Sequence, residues 1–452
     1  MPKVEKQRIE RKTKSRQLVF DSFFAYNENG KNALPVFRAR NCDCSDGTIS
    51  NGIGFVPYLT TNGTSVESDL MMQAFHVVRI KDASLSGKAR EELYAVDVSG
   101  YLHKYSSSVG KFVGINSNFP AKKILTIWQE GVGTLLFFIM PNKICVQKNE
   151  EGAMQQLFGA NRAQACICKN RLFYAQGNSN IAYVDPLDPA IWTTSLEGYG
   201  VLYADEDDKL IQGMVTLGDS VIVLYENALK KITVAGSPQD FVVEDVVYSG
   251  GQIYYNTACT CGNAVFFLAE DGVYRYDGST VQRACENMPI HPAADTEIFS
   301  SACCYDEYML SYDDTEWGAS TLVVKNDGKS GYFSDSVICL SGDGTRAIAQ
   351  CGKVVGVYKR GASFPATPGY YVINFLELGS KGNKIIKKIT LYGEGELYMT
   401  LIREKGTRKV KLTFENGVAE WIAMEKAEKF AFQFQFSKPT RIAKMVLDVV
   451  YC

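Results

Sequence analysis

Apolar positions recur along this chain with the two-residue period of half-buried strands. They come in short runs broken by turn residues, and few stretches carry helix signals. The clearest unit spans Asn256 to Asn287. Ala264–Ala269 (AVFFLA) is an apolar run of β-branched and aromatic residues, and Glu270-Asp271-Gly272 supplies a turn in which glycine accepts a positive φ. Val273–Tyr276 alternates apolar and polar, Asp277-Gly278 turns again, and Val281–Ala284 begins a third strand. The pattern predicts an antiparallel meander.

Similar units recur. Ala165-Cys166-Ile167-Cys168 leads into Leu172-Phe173-Tyr174 and then Ile181–Asp185; Ala258-Cys259-Thr260-Cys261 leads into Val265-Phe266-Phe267. Ala302-Cys303-Cys304 precedes Tyr308–Tyr312 and Thr321–Val324, and Val215–Asp219 precedes Val221–Tyr225 and Leu229–Ile232. Glu92–Val96 with Leu102–Tyr105, and Leu135–Ile139 with Lys143–Val146, follow more loosely. A spacing of about 40–50 residues is that of propeller blades. One such sheet cannot bury both faces, whereas several packed face to face in a ring can. The expectation is an all-β chain with a β-propeller over residues 71–365. Six blades is the count, with five or seven as neighbouring counts, and Met72 to Arg79 is the candidate for closing the ring.

Residues 1–70 read as an extended arm with a strand laid against the propeller, residues 48–70 being Gly/Ser/Thr/Asn-rich loop. Asp185–Thr193 reads as a connection between blades, Ala204–Lys209 as an exposed acidic turn and Gly361–Gly369 as a linker. Residues 370–452 then predict a small β-sandwich from six strands: Tyr370–Phe375, Ile385–Leu391, Glu396–Arg403, Lys409–Phe414, Phe430–Phe436 and Ala443–Tyr451. Phe430, Phe432, Phe434 and Phe436, spaced by two, line one face of a strand, opposite Ala431, Gln433 and Gln435.

Length and composition fit this picture. A chain of 452 residues holds two or three domains, its 46% hydrophobic content is ordinary, and turns rely on 39 Gly rather than 13 Pro. No run approaches 18 apolar residues, and no apolar stretch follows the charged start, so neither a membrane span nor a signal peptide is expected. Thirteen cysteines, several at the heads of repeated strands, are expected to be reduced, buried packing residues.

Charge is uneven. Residues 1–16 carry seven Lys/Arg against Glu5 and Glu10, and residues 380–452 carry fourteen against eight acids, yet the whole chain is −2. The middle is therefore acidic between basic ends. Lys3, Lys6, Arg8, Arg11, Lys12, Lys14 and Arg16 form a basic arm suited either to a neighbouring subunit or to nucleic-acid phosphates. The same composition also suits a plain solvated terminus.

Catalytic chemistry is thin. His76, His103 and His291 have no partner at ligand spacing, and phosphate-loop, nucleophile-elbow and zinc-protease motifs are missing. Cys42-x-Cys44, Cys166-x-Cys168 and Cys259-x-Cys261 could bind zinc only if two pairs met. No catalytic residue, metal or cofactor is assigned, and the chain is expected not to be an enzyme. A propeller glycoside hydrolase would need two opposed carboxylates in a cleft. Asp205–Asp208 and Asp313-Asp314 could hold a cation, but isolated acidic turns are usually just solvated.

Leu210–Ile232 (LIQGMVTLGDSVIVLYENALKKI) and Phe266–Gly278 (FFLAEDGVYRYDG) resemble phrases of bacteriophage tail proteins. So do Asp188–Trp192 and the segment Phe375–Lys384. The family is that of β-propeller stabilization or nozzle-type proteins of phage head-to-tail and short-tail assemblies, and the similarity covers patches of residues 180–390. It implies a virion tail protein made in the host cytoplasm. Such a subunit stands in a homo-oligomeric ring, a hexamer for preference, around the DNA exit channel, against portal, adaptor and other tail proteins. DNA would pass without sequence-specific contact, an acidic middle repelling it while the basic ends meet acidic neighbours. A host-surface or glycan-binding propeller is the alternative.

Overall fold

The computed structural model describes residues 14–23, 36–44, 46–51, 54–60, 63–84, 86–148, 154–159, 163–177, 179–184, 199–203, 209–286, 288–293, 299–316, 318–334, 337–342, 346–359, 368–379 and 381–452. The chain is all-β: among the described residues the one helical element is a 3-10 turn at Pro238–Asp240. It divides into two compact units, residues 54–365 and residues 1–53 with 366–452.

The first unit is a β-propeller of four-stranded antiparallel sheets. Six are continuous in sequence, running from Met72–Ile80 to Lys111–Asn116, Lys123–Gln129 to Gln155–Gly159, and Ala165–Cys168 to Tyr199–Tyr203. The next three run from Ile211–Leu217 to Val242–Val246, Cys259–Cys261 to Val281–Ala284, and Ser300–Cys304 to Gly331–Ser334. The seventh joins Ile338–Gly342, Ala347–Cys351 and Val354–Lys359 to Gly54–Pro57. The first strand of each sheet lies beside the first strand of the next, and the seventh returns to the first, so these strands form the inner ring.

The described residues thus give seven blades, not six. The seventh was overlooked because its fourth strand comes from the far end of the propeller sequence, leaving only three short strands in register with the repeat. Met72–Ile80 does not close the ring but opens the first blade. Closure falls to Gly54–Pro57, hidden in a stretch whose small polar residues read as loop. The unit accordingly begins at residue 54, and Tyr58 and Ser68 donate backbone N–H groups to Val355 and Lys353 of the seventh blade.

Each seam between blades is an apolar core that neither sheet forms alone. Phe137, Ile139 and Leu135 of the second blade meet Leu172, Tyr174 and Val184 of the third. Ile222 and Leu224 of the fourth meet Phe267, Tyr274 and Tyr276 of the fifth. Phe75, Leu93 and Ala95 of the first meet Ile348 and Val355 of the seventh. Burying each large side chain contributes about 1.5–3 kcal/mol, so the ring is held by its neighbours' faces. Tight hairpins allow this: Gly272 takes φ +142 at the central turn of the fifth blade, where a Cβ would lie 2.8 Å from Arg283 Nε.

The second unit is the sandwich, and it draws on both ends of the chain. One sheet runs Cys42–Asp43, Ile49–Asn51, Arg441–Tyr451, Lys384–Glu394, Val418–Ala427, with Ser15–Phe20 also paired to Arg441–Tyr451. The other joins Val36–Arg40, Gly369–Leu376, Phe430–Phe436, Glu396–Arg403 and Gly406–Thr413. Phe430, Phe432, Phe434 and Phe436 are all buried while Gln433 and Gln435 face outward, half-buried. The segment expected to be an arm therefore gives the sandwich four strands, Ser15–Phe20, Val36–Arg40, Cys42–Asp43 and Ile49–Asn51. Val418–Ala427 was missed because it is rich in helix formers and shows Ile422 and Met424 to solvent, while Ala419, Trp421 and Ala423 point inward.

Candidate functional site

The inner strands hold one another through side chains that reach the neighbouring backbone. Thr216 Oγ1 donates to Ile167 O at 2.8 Å, Thr260 Oγ1 to Thr216 O at 2.7 Å, and Ser301 Oγ to Ala258 O at 3.3 Å. These three bonds stitch the third blade to the sixth. On the far side, Thr134 Oγ1 donates to Lys81 O at 2.9 Å and Gln350 Oε1 accepts the Met72 N–H at 2.8 Å. None of the seven inner strands contains Asp or Glu. Acid–base chemistry by a carboxylate pair has no donor on these strands.

Cysteines occupy the same strands, as strand-packing small residues should. Cys166 and Cys168 face the fourth blade and pack with Met214, Val221 and Val223. Burial pushes the Cys166 thiol up to about 12. Cys261 hydrogen-bonds Cys259 and Cys303, and these contacts together with burial hold its thiol far above the ordinary range. Cys303 moves down instead, because it is bonded by Cys261 and by the backbone N–H groups of Gly262 and Asp306. In the sandwich, Cys42 donates its S–H to Tyr370 O at 3.0 Å. The Cys-x-Cys pairs thus face different surroundings, and among the described residues no group of three or more His, Cys, Asp or Glu has metal-binding geometry.

Two cations and an imidazole stand between the inner strands of the first two blades, Lys122 and Lys123 at the start of the second strand and His76 midway along the first. Lys122 Nζ donates to Gln73 Oε1 at 3.1 Å, and Lys123 Nζ to Gln164 Oε1 at 3.3 Å. His76 Nε2 lies 3.4 Å from Ala121 O, and burial lowers its pKa to about 4. Burial likewise lowers the Lys123 ammonium below the usual lysine range. Sequence reading passed over Lys122 and Lys123, since a Lys-Lys pair ahead of a strand gives no motif.

Elsewhere polar groups serve the fold. His103 Nε2 donates to Asp97 Oδ2 at 2.9 Å, and Asp97 Oδ1 accepts the N–H groups of Ser99 and Tyr101. Burial pushes the Asp97 carboxyl up, but the Tyr101 N–H, His103 and the Ser99 N–H outweigh it and leave the group low. Glu307, 1% exposed, accepts Lys325 Nζ at 2.6 Å and Tyr358 OH at 2.7 Å, and Tyr332 OH lies 3.0 Å from Tyr358 OH. This network fastens the sixth blade to the seventh. Asp314 accepts Tyr312 OH and the His291 N–H, both at 3.0 Å. The partner of His103 sits across a turn and that of His291 is 23 residues away, and ligand-spacing rules look at neither.

Of the basic arm, Lys3, Lys6, Arg8, Arg11 and Lys12 lie outside the described residues, as do Asp188–Trp192 and Asp205–Asp208. Lys14 and Arg16 are exposed at the start of the Ser15–Phe20 strand, with Arg16 opposite Val449. Among the described residues no helix is long and apolar enough to cross a membrane.

No family model matches the chain, and no curated protein does. Among solved structures it is similar to the RRP9 WD40 repeats, at 10% identity and TM-score 0.42, over 68% of this chain and 99% of that one. It is similar to BBS1N in complex with ARL6DN, at 10% identity and TM-score 0.41, over 68% of this chain and 96% of that one. An extracellular domain of a one-component system from B. thetaiotaomicron aligns over 85% of this chain and 58% of its own, at 10% identity and TM-score 0.46.

Proposed function

We propose that the chain is a structural subunit of a bacteriophage tail or head-to-tail connector, without catalysis. In this reading it is made in the host cytoplasm and resides in the virion. It forms a nozzle-like ring with its own copies, hexameric for preference, against portal, adaptor and other tail proteins. DNA passes through that ring without sequence-specific contact. The observation that carries the reading is the resemblance of Leu210–Ile232 and Phe266–Gly278 to phage tail phrases. These residues form the first three strands of the fourth blade and the central hairpin of the fifth. An inner ring with hydroxyls spent on neighbouring backbone and no carboxylates suits a building element. The basic arm, Lys14 and Arg16 included, is assigned to a neighbouring subunit or to phosphates.

Electron microscopy of the purified full chain, and of particles containing it, tests the proposal. A closed ring is expected, and a monomer in every context overturns it.

A second reading, recognition of a surface glycan, draws on the outer face of the sandwich. There Arg40, Tyr370, Gln435, Tyr398 and Lys411 stand opposite one another across five strands. Tyr398 is 43% exposed. A glycan array decides between the two.

A further inference from the structure

Among the described residues Lys122 and Lys123 bond only to neutral amides, and beside Lys123 the Gln164 amide keeps a donor without an acceptor. Lys123 opens the inner strand of the second blade, and its ammonium makes no ion pair among the described residues. Its bond is to Gln164 Oε1, at 3.3 Å, just ahead of the third blade. The nearby Cys166 thiol is neutral, since burial holds its pKa at about 12, so it supplies no anion.

Gln164 is 1% exposed, and its Nε2 has no hydrogen-bond partner among the described residues. Turning the amide over would set its NH2 against the Lys123 ammonium, so the lysine fixes the orientation. The oxygen is spent on Lys123, and two N–H donors remain beside the cation. Buried donors left this way are costly, and a native structure holds them for something that accepts.

We propose that Lys123 and Gln164 form a binding site for a single carboxylate at the mouth of the propeller tunnel. One oxygen takes the Lys123 ammonium and the other the Gln164 amide. The charge match selects a monoanion: one ammonium faces it, and the neighbouring Lys122 is turned to Gln73 of the first blade. The carboxylate belongs either to a free organic acid or to an acidic side chain of a protein entering the tunnel. The site stands on the blade geometry and holds whether or not the chain assembles in a ring.

The test uses the full chain at pH 7.5 and fixed ionic strength, with sodium acetate, sodium phosphate or sodium chloride as probes. Acetate is expected to raise the melting temperature saturably relative to chloride. Lys123→Met and Gln164→Leu should each weaken acetate binding at least tenfold, while Lys122→Met responds like the unmutated protein. A crystal structure in acetate should place a carboxylate within hydrogen-bond distance of Lys123 Nζ and Gln164 Nε2, and this decides alone if a variant fails to fold. A tetraglutamate peptide that binds tighter than acetate and depends on Lys123 supports the side-chain source; equal affinity per carboxylate supports a free acid. A larger Lys123-dependent response to phosphate than to acetate overturns the carboxylate assignment. Indifference of all variants, or a lone water on Gln164 Nε2 in acetate crystals, overturns the site.

Discussion

The propeller and the sandwich are both made of antiparallel strands with apolar interiors, yet they gather those strands in opposite ways. Six of the blades are continuous hairpin ladders, and only the seventh calls on a distant strand, Gly54–Pro57. In the sandwich three pairings join residues 15–51 to residues 369–451, and the rest of its non-local pairings lie within the C-terminal segment. Stability in the propeller is therefore spread over equivalent seams, whereas the sandwich depends on two chain ends meeting. Local ladders form with a small loop-closure cost; the sandwich closes a loop of several hundred residues.

The sharpest way to break the comparison is to remove residues 1–53. The sandwich then loses four strands and the Phe23 ring, which stands edge-on to Tyr371 at 6.0 Å. Residues 369–452 are expected to lose amide-exchange protection and become protease-sensitive, while amides of the second to fifth blades stay protected. Retained protection in the C-terminal strands would show that the two ends are not interdependent.

Single substitutions probe each interior at a smaller scale. Glu307→Ala removes the shared acceptor of Lys325 and Tyr358 at the seam of the sixth and seventh blades and should cost about 3–5 kcal/mol in urea unfolding of the propeller. Phe434→Ala in the sandwich should cost about 3–5 kcal/mol by emptying a fully buried site. The contrast lies in reach: exchange protection should fall around the seam for the first and throughout both sheets for the second.

Acid sharpens the comparison further, because His76 belongs to the propeller alone. Its folded pKa, about 4, lies below the ordinary 6.5. Between these values the unfolded chain takes up the proton first, so stability falls as pH drops through that window. The contribution is intact above 6.5 and changes no further below 4. The loss amounts to about 3 kcal/mol, and the difference in unfolding free energy between the protein and His76→Gln, measured at pH 7 and pH 4, reports it. The smallest effect expected is that of Lys353→Ala. Its 2.7 Å pair with Asp69 is exposed on both sides, so the melting temperature should not move.

Much of the architecture was legible because strands announce themselves through alternation. Phe430 to Phe436 and the hairpin from Ala264 to Tyr276 lie on the strands and faces that their spacing predicted. What escaped was whatever depends on distant pairing. Gly54–Pro57 is four residues long and becomes a strand only because Val354–Lys359 offers it an edge. Val418–Ala427 has the composition of a helix and is extended because Lys384–Glu394 lies beside it. The tunnel-mouth group was equally silent. Lys123 and Gln164 are 41 positions apart, and only ring geometry brings them together.

The place of Arg441–Tyr451 bears on how the molecule is made. This final strand sits inside its sheet, with Lys384–Glu394 on one side and Ser15–Phe20 with Ile49–Asn51 on the other. A ribosome delivers the N-terminal strands before this one, so the early strands wait with their edges unpaired while the blades between are made. The blades fold as they emerge, and the sandwich closes only once Arg441–Tyr451 has followed.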